Sequence, residues 1–550
     1  MAFCLLTEPW LPVRRRSGAA GWIAPAGIAA TEDDPVVALA WPRADFRLAA
    51  AEFLIGLLAV ACPPRSDRAW VAGYQEPPGT AALAASFALL EYAFVLDGAG
   101  FDGTGPRFMQ EFADFDAAPN DVGTLLIEAP GEATVRKNTD LMVRRGRVGV
   151  LSRAAAAMAL FTLQTYAPAG GAGNRTSLRG GGPLTTLAIP PPRPKQTQTL
   201  LWHLLWANVP LGEPPEAEAL PRVFPWLGPT RSSERDARAT TPADVHPLQA
   251  FWGMPRRIRL DLTNNMDGAT CDLTGQADAV VVRSWRQRPW GTNYVQWGGV
   301  HPLSPCYCAK PGAEPLYLHP QPGGVGYQHW QGLLSRSSGP TRRVAPAIDA
   351  FRERRFDNIR VGRAPWRLLA GGFDMDNMKA RGFAESELPV YEPSDPSAAK
   401  AADEVVSSLV AASQVVASLL ARCVRRALFA DGAAVGTDTT PLATLRERLW
   451  AETTNAFFSA AERAADSEAG HELREEWRAA LEQVARRLFD EAVPMDASGE
   501  GHPDRIAAAA RQLGVALRGF GREGKELFET LQIDLPAAAH DKPRKQRKRT

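Results

Sequence analysis

Residues 371–381, Gly-Gly-Phe-Asp-Met-Asp-Asn-Met-Lys-Ala-Arg, combine a glycine pair with an aromatic ring, two carboxylates, an amide and two cations. Paired glycines permit positive φ angles and let the backbone approach a ligand closely. One interpretation is a surface hairpin in which Asp374 and Asp376 stabilise a turn. The other is a finger that presents residues 377–379, which are polar, apolar and basic in turn, to a binding partner.

The same two aspartates offer a catalytic alternative. Asp374 and Asp376 could bind divalent metal and cleave phosphodiester bonds, as the paired metal sites of nucleases do. Such sites require several convergent carboxylates, and only Glu385 and Glu387 follow nearby in the sequence. A metal-dependent nuclease that uses Asp374 and Asp376 is therefore the alternative function.

The cysteines suggest a second kind of site. Cys271 begins a segment that is similar to a zinc knuckle, except that Thr274 stands where the second thiolate would be. His301, Cys306 and Cys308 follow further along the chain, and four tetrahedral ligands could be assembled from these side chains. No cofactor is required by the sequence, but a structural zinc ion held by Cys271, Cys306 and Cys308 is one hypothesis.

A glycine-rich stretch at residues 170–182 contains six glycines, so its backbone must turn sharply or lie close to another group. The stretch lacks the Gly-Lys-Ser/Thr ending of a phosphate-binding P-loop. It also lacks the downstream acid of a dinucleotide-binding unit. The sequence therefore predicts no nucleotide site here.

The composition is typical of a soluble globular protein with more than one domain. The chain has 550 residues, of which 45% are hydrophobic and 22% charged, and its net charge is +1. This charge excludes a uniformly basic surface but leaves room for local basic patches that bind nucleic acid. Six cysteines make no disulfide framework and indicate a reducing, cytoplasmic compartment. No apolar run reaches the ~20 residues of a bilayer span, so no membrane role is expected.

The predicted elements change character near residue 391. Upstream, short strand-like runs alternate with turns and with helices predicted at residues 44–61, 80–96 and 152–166. Downstream, four narrow apolar stripes at helical spacing predict a four-helix bundle. The predicted fold class is α+β, with a large, loop-rich mixed α/β N-terminal domain followed by that bundle. The predicted segments are the mixed domain 1–392, the bundle 393–535 and a basic disordered tail 536–550.

Several motifs, in this order along the chain, resemble one family: the large (CasA-type) subunit of the type I-E CRISPR complex Cascade. Both the N-terminal Leu-Leu-Thr-Glu-Pro-Trp-Leu-Pro-Val run and the glycine-led run described first match sequences of that family. The matching segments are residues 5–13, 42–45, 174–186, 301–306 and 371–381. Together with the C-terminal bundle, the resemblance covers essentially the whole chain.

The resemblance implies a non-enzymatic subunit that binds double-stranded DNA and recognises the protospacer-adjacent motif (PAM) through the minor groove. It also implies that a wedge opens the duplex to start R-loop formation, after which a helicase-nuclease is recruited. The implied partners are the guide RNA ribonucleoprotein, the backbone and small subunits of Cascade, target DNA and that helicase-nuclease. A scaffold protein that never touches DNA is a second rival.

The resemblance also assigns site residues. A glycine loop, a basic finger and a wedge would read the PAM, and a separate loop would contact the guide or the DNA. The residues implied at the PAM are Gly171, Ala172, Gly173, Arg286, Arg288, Asn377, Met378 and Lys379. The residues implied in the guide loop are Arg136, Lys137 and Asn138.

Overall fold

The computed structural model divides the chain into two compact units. The first comprises Met1–Val325 and Pro340–Glu387, and the second comprises Gly326–Gly339 and Leu388–Thr550. The structure describes residues 2–97, 103–141, 143–171, 173–234, 239–335, 341–358, 365–376, 378–393, 395–429, 440–466, 470–493 and 503–536. The predicted basic tail therefore lies almost entirely outside the described residues.

Helices and strands both contribute to the fold, which agrees with the predicted α+β class. The α-helices are α1 Ala44–Ala61, α2 Asp67–Gln75, α3 Thr80–Ala88, α4 Glu132–Arg136, α5 Arg153–Tyr166, α6 Leu201–Ala207, α7 Leu220–Val223, α8 Trp330–Leu333, α9 Pro346–Asn358, α10 Pro396–Leu428, α11 Thr440–Ala465, α12 Gly470–Ala492, α13 Pro503–Leu517 and α14 Gly521–Leu531. The strands are β1 Leu11–Arg15, β2 Ala20–Ile23, β3 Val36–Leu39, β4 Asn120–Asp121, β5 Leu151–Ser152, β6 Thr185–Ile189, β7 Ala239–Thr240, β8 Arg257–Asn264, β9 Val280–Arg288, β10 Asn293–Tyr294, β11 Cys306–Tyr307, β12 Leu316–Tyr317, β13 Arg342–Arg343, β14 Trp366–Asp376 and β15 Lys379–Val390.

Helix α1 is a core helix of the first unit. Arg43 precedes it and pairs at 2.7 Å with Asp45 in its first turn, and Pro63 and Pro64 prevent its continuation. Almost every residue of α1 is buried, so it shows no single apolar stripe. Phe53 lies at its middle inside an aromatic cluster. The rings whose centroids lie 5.4 to 5.9 Å from that of Phe53 are Trp10, Phe94, Phe108, Phe161 and Trp252.

A long antiparallel hairpin, β8–β9, belongs to the first unit. Its register runs from Arg257 opposite Arg288 to Asn264 opposite Val280, and β9 also pairs with β4 and β5. The residues that connect the two strands therefore lie at one end of the hairpin. The C-terminal part of β9, which contains Arg286 and Arg288, lies at the other end.

The glycine-led run forms the tip and the adjoining strand ends of a second hairpin, β14–β15, whose β14 also pairs antiparallel with β6. The glycine pair does not adopt the positive φ angles that glycine permits, because Gly371 and Gly372 lie in extended backbone inside β14. A methyl group at Gly372 would lie 2.6 Å from the carbonyl oxygen of Pro183. Glycine is needed here because the strand packs against the protein's own backbone.

The C-terminal region is helical, as predicted, but its described residues form five helices instead of four. The stretch predicted as the fourth helix is divided between α13 and α14. Gly519 and Gly521 lie between these helices with φ angles of 90° and 75°, which α-helical backbone cannot adopt. The apolar stripe continues across the break, so helical periodicity alone did not locate it.

A segment from the middle of the chain belongs to this second unit. Tyr327 stacks on Phe457 of α11 with ring centroids 4.2 Å apart, and Trp330 packs edge-on against the same ring. Ser335 donates a hydrogen bond of 3.1 Å to a carboxylate oxygen of Asp403 in α10. The predicted domains 1–392 and 393–535 place Gly326–Gly339 in the first domain, whereas the structure assigns this segment to the second unit.

Helix α10 is, within the described parts of the chain, the one helix long and apolar enough to cross a membrane by length and composition. Of its most apolar window, 67% is buried within the protein. Leu409, Val416 and Leu419 are completely buried among the neighbouring helices. The apolar length of α10 therefore reflects its place at the core of the helical unit.

Candidate nucleic-acid interface

The β14–β15 hairpin presents an exposed tip. Met378 is 55% exposed, which is unusual for a large apolar side chain, and Lys379 beside it is also exposed. Asn377, the predicted wedge residue, lies outside the described residues. The tip therefore offers one apolar and one cationic side chain at the end of two paired strands.

The carboxylate of Asp374 is used within the hairpin. Arg381 on β15 donates two hydrogen bonds to it, of 3.0 and 2.7 Å, and a second carboxylate, Asp376, lies 3.9 Å from the same guanidinium. The hydrogen bond with Asp374 raises the pKa of Arg381, so the guanidinium stays charged. This bidentate pairing supports the turn-stabilising interpretation of the aspartates.

A metal-dependent nuclease finds no support in this arrangement. Among the described residues, no group of three or more His, Cys, Asp or Glu side chains could hold a metal ion. Asp374 faces a guanidinium, which would compete with any cation for its oxygens. The two-metal chemistry considered from the sequence requires convergent carboxylates that these residues do not provide.

The glycine-rich stretch supports the hairpin. Gly182 has a φ of 65°, and a methyl group there would lie 2.6 Å from the carbonyl oxygen of Phe373 in β14. The Gly182 N–H donates to the carbonyl of Tyr166, whose ring packs at 6.0 Å against that of Phe373. The backbone around residues 166–182 and the middle of β14 therefore form one packed base.

The glycine loop, residues 170–174, rises from the same base. The Gly170 N–H donates to the Asn174 carbonyl at 3.1 Å, and the Asn174 N–H donates to the Gly171 carbonyl at 3.2 Å. Gly173 has a φ of 78°, a value that favours glycine. Ala172, the middle residue of the predicted reading loop, lies outside the described residues.

Arg256 holds both ends of this loop. It donates 2.6 Å and 2.9 Å hydrogen bonds to the carbonyls of Pro168 and Arg175, which flank the loop on either side. Burial lowers the pKa of Arg256 to about 10, so the guanidinium is still charged at neutral pH. The loop is therefore clamped at its base and turns sharply within five residues.

The end of β9 lies directly against the glycine loop. Gln287 donates a 2.6 Å hydrogen bond to the side-chain oxygen of Asn174, and the Trp290 N–H donates to the Gly173 carbonyl at 3.1 Å. A methyl group at Gly173 would lie 2.8 Å from Cδ2 of the Trp290 indole. The structure thus brings together the glycine loop and the segment of the predicted basic finger, which lie more than one hundred residues apart in sequence.

The two predicted finger arginines differ in their surroundings. Arg286 donates to Asp261 at 2.8 Å and to the Phe115 carbonyl at 2.9 Å, so its charge is compensated inside the protein. Arg288 is exposed, and no ion pair holds it within the described parts of the chain. Because side chains alternate along a strand, Gln287 faces away from both arginines and toward the glycine loop.

The predicted guide loop has its own organising residue. Arg145 donates hydrogen bonds to Asp140 at 2.6 Å, to the Asn138 side chain at 2.9 Å and to the Val135 carbonyl at 3.0 Å. Asn138 has a φ of 51°, which turns the chain after the short helix α4. Arg136 and Lys137 are exposed at the end of this helix. The loop therefore presents two cations on a locally braced backbone.

A buried polar network connects several of the sequence motifs. Glu52 of α1 accepts a 2.7 Å hydrogen bond from Arg179, a 3.1 Å bond from Thr185 and a 3.3 Å bond from Tyr166. Arg179 also donates to Ser304 at 2.8 Å. These residues come from helices α1 and α5, the glycine-rich stretch, β6 and residues 301–306. Their shared role is structural, because the network is closed to solvent.

Ionisation in this network follows from burial and from Arg179. Burial opposes ionisation of Glu52, but Arg179 and the neighbouring His301 together outweigh it and hold the pKa of Glu52 at about 2. Burial and the same guanidinium lower the pKa of His301 to about 4. Nδ1 of His301 accepts the Leu303 N–H, which leaves the proton on Nε2, 3.3 Å from Glu52. The network therefore contains one ion pair and a neutral imidazole.

The hypothesis of a structural zinc site gains no support from the described residues, where no metal-binding group is assembled. Cys271 is buried in the connection between β8 and β9, whereas Cys306 and Cys308 lie on and just after β11. Burial raises the pKa of Cys306, which disfavours the thiolate that a metal would need. His301 is engaged with Glu52.

Sequence reasoning missed the residues that tie the glycine loop to β9. Gln287 and Trp290 were assigned no role, and the contacts of both with the glycine loop, including that of Gln287 with Asn174, are long-range. Only the Arg-Pro-Trp-Gly sequence at 288–291 hinted that the chain turns directly after the predicted finger. Trp290 adopts a φ of 65°, and a bulky residue in this region costs about 1–3 kcal/mol of backbone strain.

Comparison with known proteins agrees with this fold. The sequence profile described as CRISPR-associated protein Cse1 matches residues 5–488. CasA from Thermus thermophilus has a similar fold, with a TM-score of 0.66, 18% identity, and coverage of 94% of this chain and 99% of that chain. Cse1 from Acidimicrobium ferrooxidans gives 0.62 at 19% identity, covering 97% and 99%. A structure described as a CRISPR RNA-guided surveillance complex gives 0.64 at 15% identity, covering 94% and 99%. None of the curated proteins compared with the chain gives a significant match.

Proposed function

Because the chain belongs to the CRISPR-associated Cse1 family and is a CasA-type large subunit of a CRISPR surveillance complex, we propose that it selects the DNA target of that complex. In this proposal it binds duplex DNA, recognises the PAM in the minor groove and opens the duplex beside it. The observation that carries the proposal is the packing of the glycine loop against the end of β9, on the base that also supports the exposed Met378–Lys379 tip.

The residue types suit minor-groove reading. The groove is only ~6 Å wide, so glycine backbone at positions 171 and 173 could enter it where larger side chains could not. The groove displays a degenerate pattern of acceptors, and one exposed cation such as Arg288 would be attracted to it without demanding a single sequence. Such a reader would accept several related PAMs.

The hairpin tip suits strand separation. An apolar side chain that inserts between base pairs must overcome a few kcal/mol of unstacking at each step, which its new contacts offset. Met378 supplies the apolar surface, and Lys379 supplies a positive charge for the adjacent phosphates. Exchange of DNA pairing for RNA–DNA pairing is nearly balanced in free energy, so a small opening at the PAM would let the guide continue without ATP.

The proposed partners follow from this role. The guide RNA ribonucleoprotein, with the backbone and small subunits, would supply the base-pairing strand, and the exposed Arg136 and Lys137 of the guide loop would contact guide or DNA phosphates. A helicase-nuclease would then degrade the opened target. The subunit itself would bind and open DNA without catalysing a reaction.

The test uses the reconstituted complex and a library of targets that differ only in the PAM. R-loop formation would be followed by the reactivity of unpaired thymines. We expect that changing Asn377 and Met378 together to alanine slows R-loop formation at least about tenfold on every accepted PAM. Met266→Ala is the matched control, since Met266 is 91% exposed in the connection between β8 and β9.

Two outcomes would overturn the proposal. Unchanged R-loop formation in the Asn377 and Met378 variant would show that these two residues do not act as a wedge. Cleavage of duplex DNA by the purified chain with Mg²⁺ or Mn²⁺, lost on Asp376→Ala, would favour the nuclease instead.

A further inference from the structure

Trp290 has a backbone conformation that its side chain should disfavour. Its φ is 65°, in the left-handed region that glycine and asparagine adopt far more readily than aromatic residues. Strained residues persist where the surrounding structure holds them, and they concentrate at functional sites. The contacts of Trp290 show which groups hold its backbone in this conformation and where the conformation places the indole ring.

Three groups fix the backbone of Trp290. The side chain of Ser232 and the backbone N–H of Ser233 both donate to the Trp290 carbonyl, at 3.0 and 3.1 Å. The Ser233 hydroxyl donates to the next carbonyl, that of Gly291, at 2.7 Å. On its other side the Trp290 N–H donates to Gly173. The residue is therefore anchored to both a serine pair and the glycine loop.

The indole fills the space that a side chain at position 173 would take. Its Cδ2 and Cε3 atoms lie 2.8 and 2.9 Å from where a Cβ of Gly173 would stand. Arg175, just after the loop, places its guanidinium 5.6 Å from the same ring and donates to Ser233 at 2.9 Å. Gln287 completes the arrangement through its 2.6 Å bond to Asn174.

We infer that Trp290 and Gln287 are positioning residues for PAM discrimination, because they lock the glycine loop onto the end of β9. This inference rests on the proposed function and adds residues to which neither motif nor family resemblance pointed. Without the lock, the loop backbone could move relative to β9. It would then fit the minor groove of many sequences about equally well.

The lock predicts a loss of discrimination and not a loss of folding. Trp290→Gly removes the ring while relieving the backbone strain, since glycine adopts a φ of 65° readily. Gln287→Leu removes the bond to Asn174 at nearly the same volume. Trp290→Phe keeps an aromatic ring over Gly173 and should retain much of the wild-type PAM discrimination.

The experiment measures R-loop formation by the full complex across the PAM library, and on a target whose PAM-proximal base pairs are already unpaired. We expect Trp290→Gly and Gln287→Leu to reduce the ratio between the best and the worst PAM at least about tenfold. On the unpaired target, both should stay within about twofold of wild type. Met266→Ala, at the opposite end of the same hairpin, should change neither measurement.

The inference fails if both variants keep the wild-type ratio, or if they slow R-loop formation equally on the paired and the unpaired target. That second result would indicate general damage to the complex. Alanine at Lys379 and Arg288 separates this failure from failure of the proposed function. If those changes abolish PAM selection while Trp290→Gly does not, only the lock is wrong. If none of these changes affects PAM selection, the proposed function is wrong as well.

Discussion

Arg179 donates a 2.7 Å hydrogen bond to Glu52 in the interior of the first unit, where both side chains are almost fully buried. This ion pair joins the core helix α1 to the glycine-rich stretch that supports both the glycine loop and the β14–β15 hairpin. The glycine loop and the hairpin are therefore anchored by a charge pair inside the protein. Its removal should disturb them from a distance.

Breaking this pair should be strongly destabilising. We predict that Arg179→Met lowers the free energy of unfolding by about 3–5 kcal/mol, because it leaves the Glu52 carboxylate buried without its partner. Denaturant-induced unfolding followed by tryptophan fluorescence measures this loss. The double variant with Glu52→Leu should recover a large part of it, since no charge then remains. A loss below about 1 kcal/mol in the single variant would contradict the prediction.

Stability should fall with acid in two ranges of pH. His301 has a folded pKa of about 4 against an ordinary value of 6.5, so the unfolded state binds the extra proton between these values. The stability present above pH 6.5 is therefore lost as the pH falls toward 4. Glu52 has a folded pKa of about 2, so its contribution is present above about pH 4.3 and is lost below.

Unfolding midpoints measured from about pH 7 to about pH 3 test this dependence. His301→Gln should flatten the profile between pH 6.5 and 4. The slope should not vanish, because burial also lowers the pKa of His203 to about 4. An identical slope in the variant would mean that His301 is not held neutral in the folded protein.

Two glycines of the same hairpin should respond differently to alanine. A methyl group at Gly372 would meet the Pro183 carbonyl at 2.6 Å, whereas at Gly382 nothing lies within 4 Å of the added carbon. We predict that Gly372→Ala costs about 1–3 kcal/mol of stability and that Gly382→Ala is within about 0.5 kcal/mol of wild type. Thermal unfolding of the two variants compares them directly, and equal effects would refute the packing argument.

The second unit should depend on the segment that it takes from the middle of the chain. Tyr327 stacks on Phe457, and its hydroxyl lies 2.5 Å from that of Thr453 in α11. Tyr327→Ala should cost about 3–5 kcal/mol through the lost ring. Tyr327→Phe should cost about 1 kcal/mol through the hydroxyl alone. Hydrogen exchange in α11 gives a local readout, and unchanged protection in Tyr327→Ala would exclude this role.

The Arg381–Asp374 pair should matter more for function than for stability. Arg381 is exposed, so we predict that Asp374→Asn changes the free energy of unfolding by less than about 1 kcal/mol. The variant should nevertheless slow R-loop formation, because the hairpin tip loses its brace. Unfolding curves and R-loop kinetics on the same preparation distinguish the two effects. Equal R-loop rates would show that the pair is dispensable.

Local sequence patterns predicted many of the helices and strands but not the contacts between them. The stripes of α10, α11 and α12 are visible because apolar residues recur at helical spacing. The break at Gly519 was missed because the stripe continues through it. The glycine pair at 371 and 372 indicated a close backbone approach, but the sequence does not show that the backbone of Pro183 is what lies against it.

The candidate site was predictable to a similar degree. The resemblance identified the glycine loop and the finger segment separately. Their contact through Asn174 and Gln287 depends on how β9 pairs with β8, and long-range strand register is not encoded in any short motif. The same limit applies to Arg286, whose partner Asp261 becomes its neighbour only in the folded sheet.

The packing of Trp290 on Gly173 has a consequence for how this family can diversify. Both positions compete for one volume, so position 173 can take a side chain only if the residue at position 290 becomes smaller. A relative with a side chain at the position of Gly173 should carry a small residue at the position of Trp290. A relative with a large residue at the position of Trp290 should carry glycine at the position of Gly173. Target preference would then evolve through paired substitutions, with single changes at either position selected against.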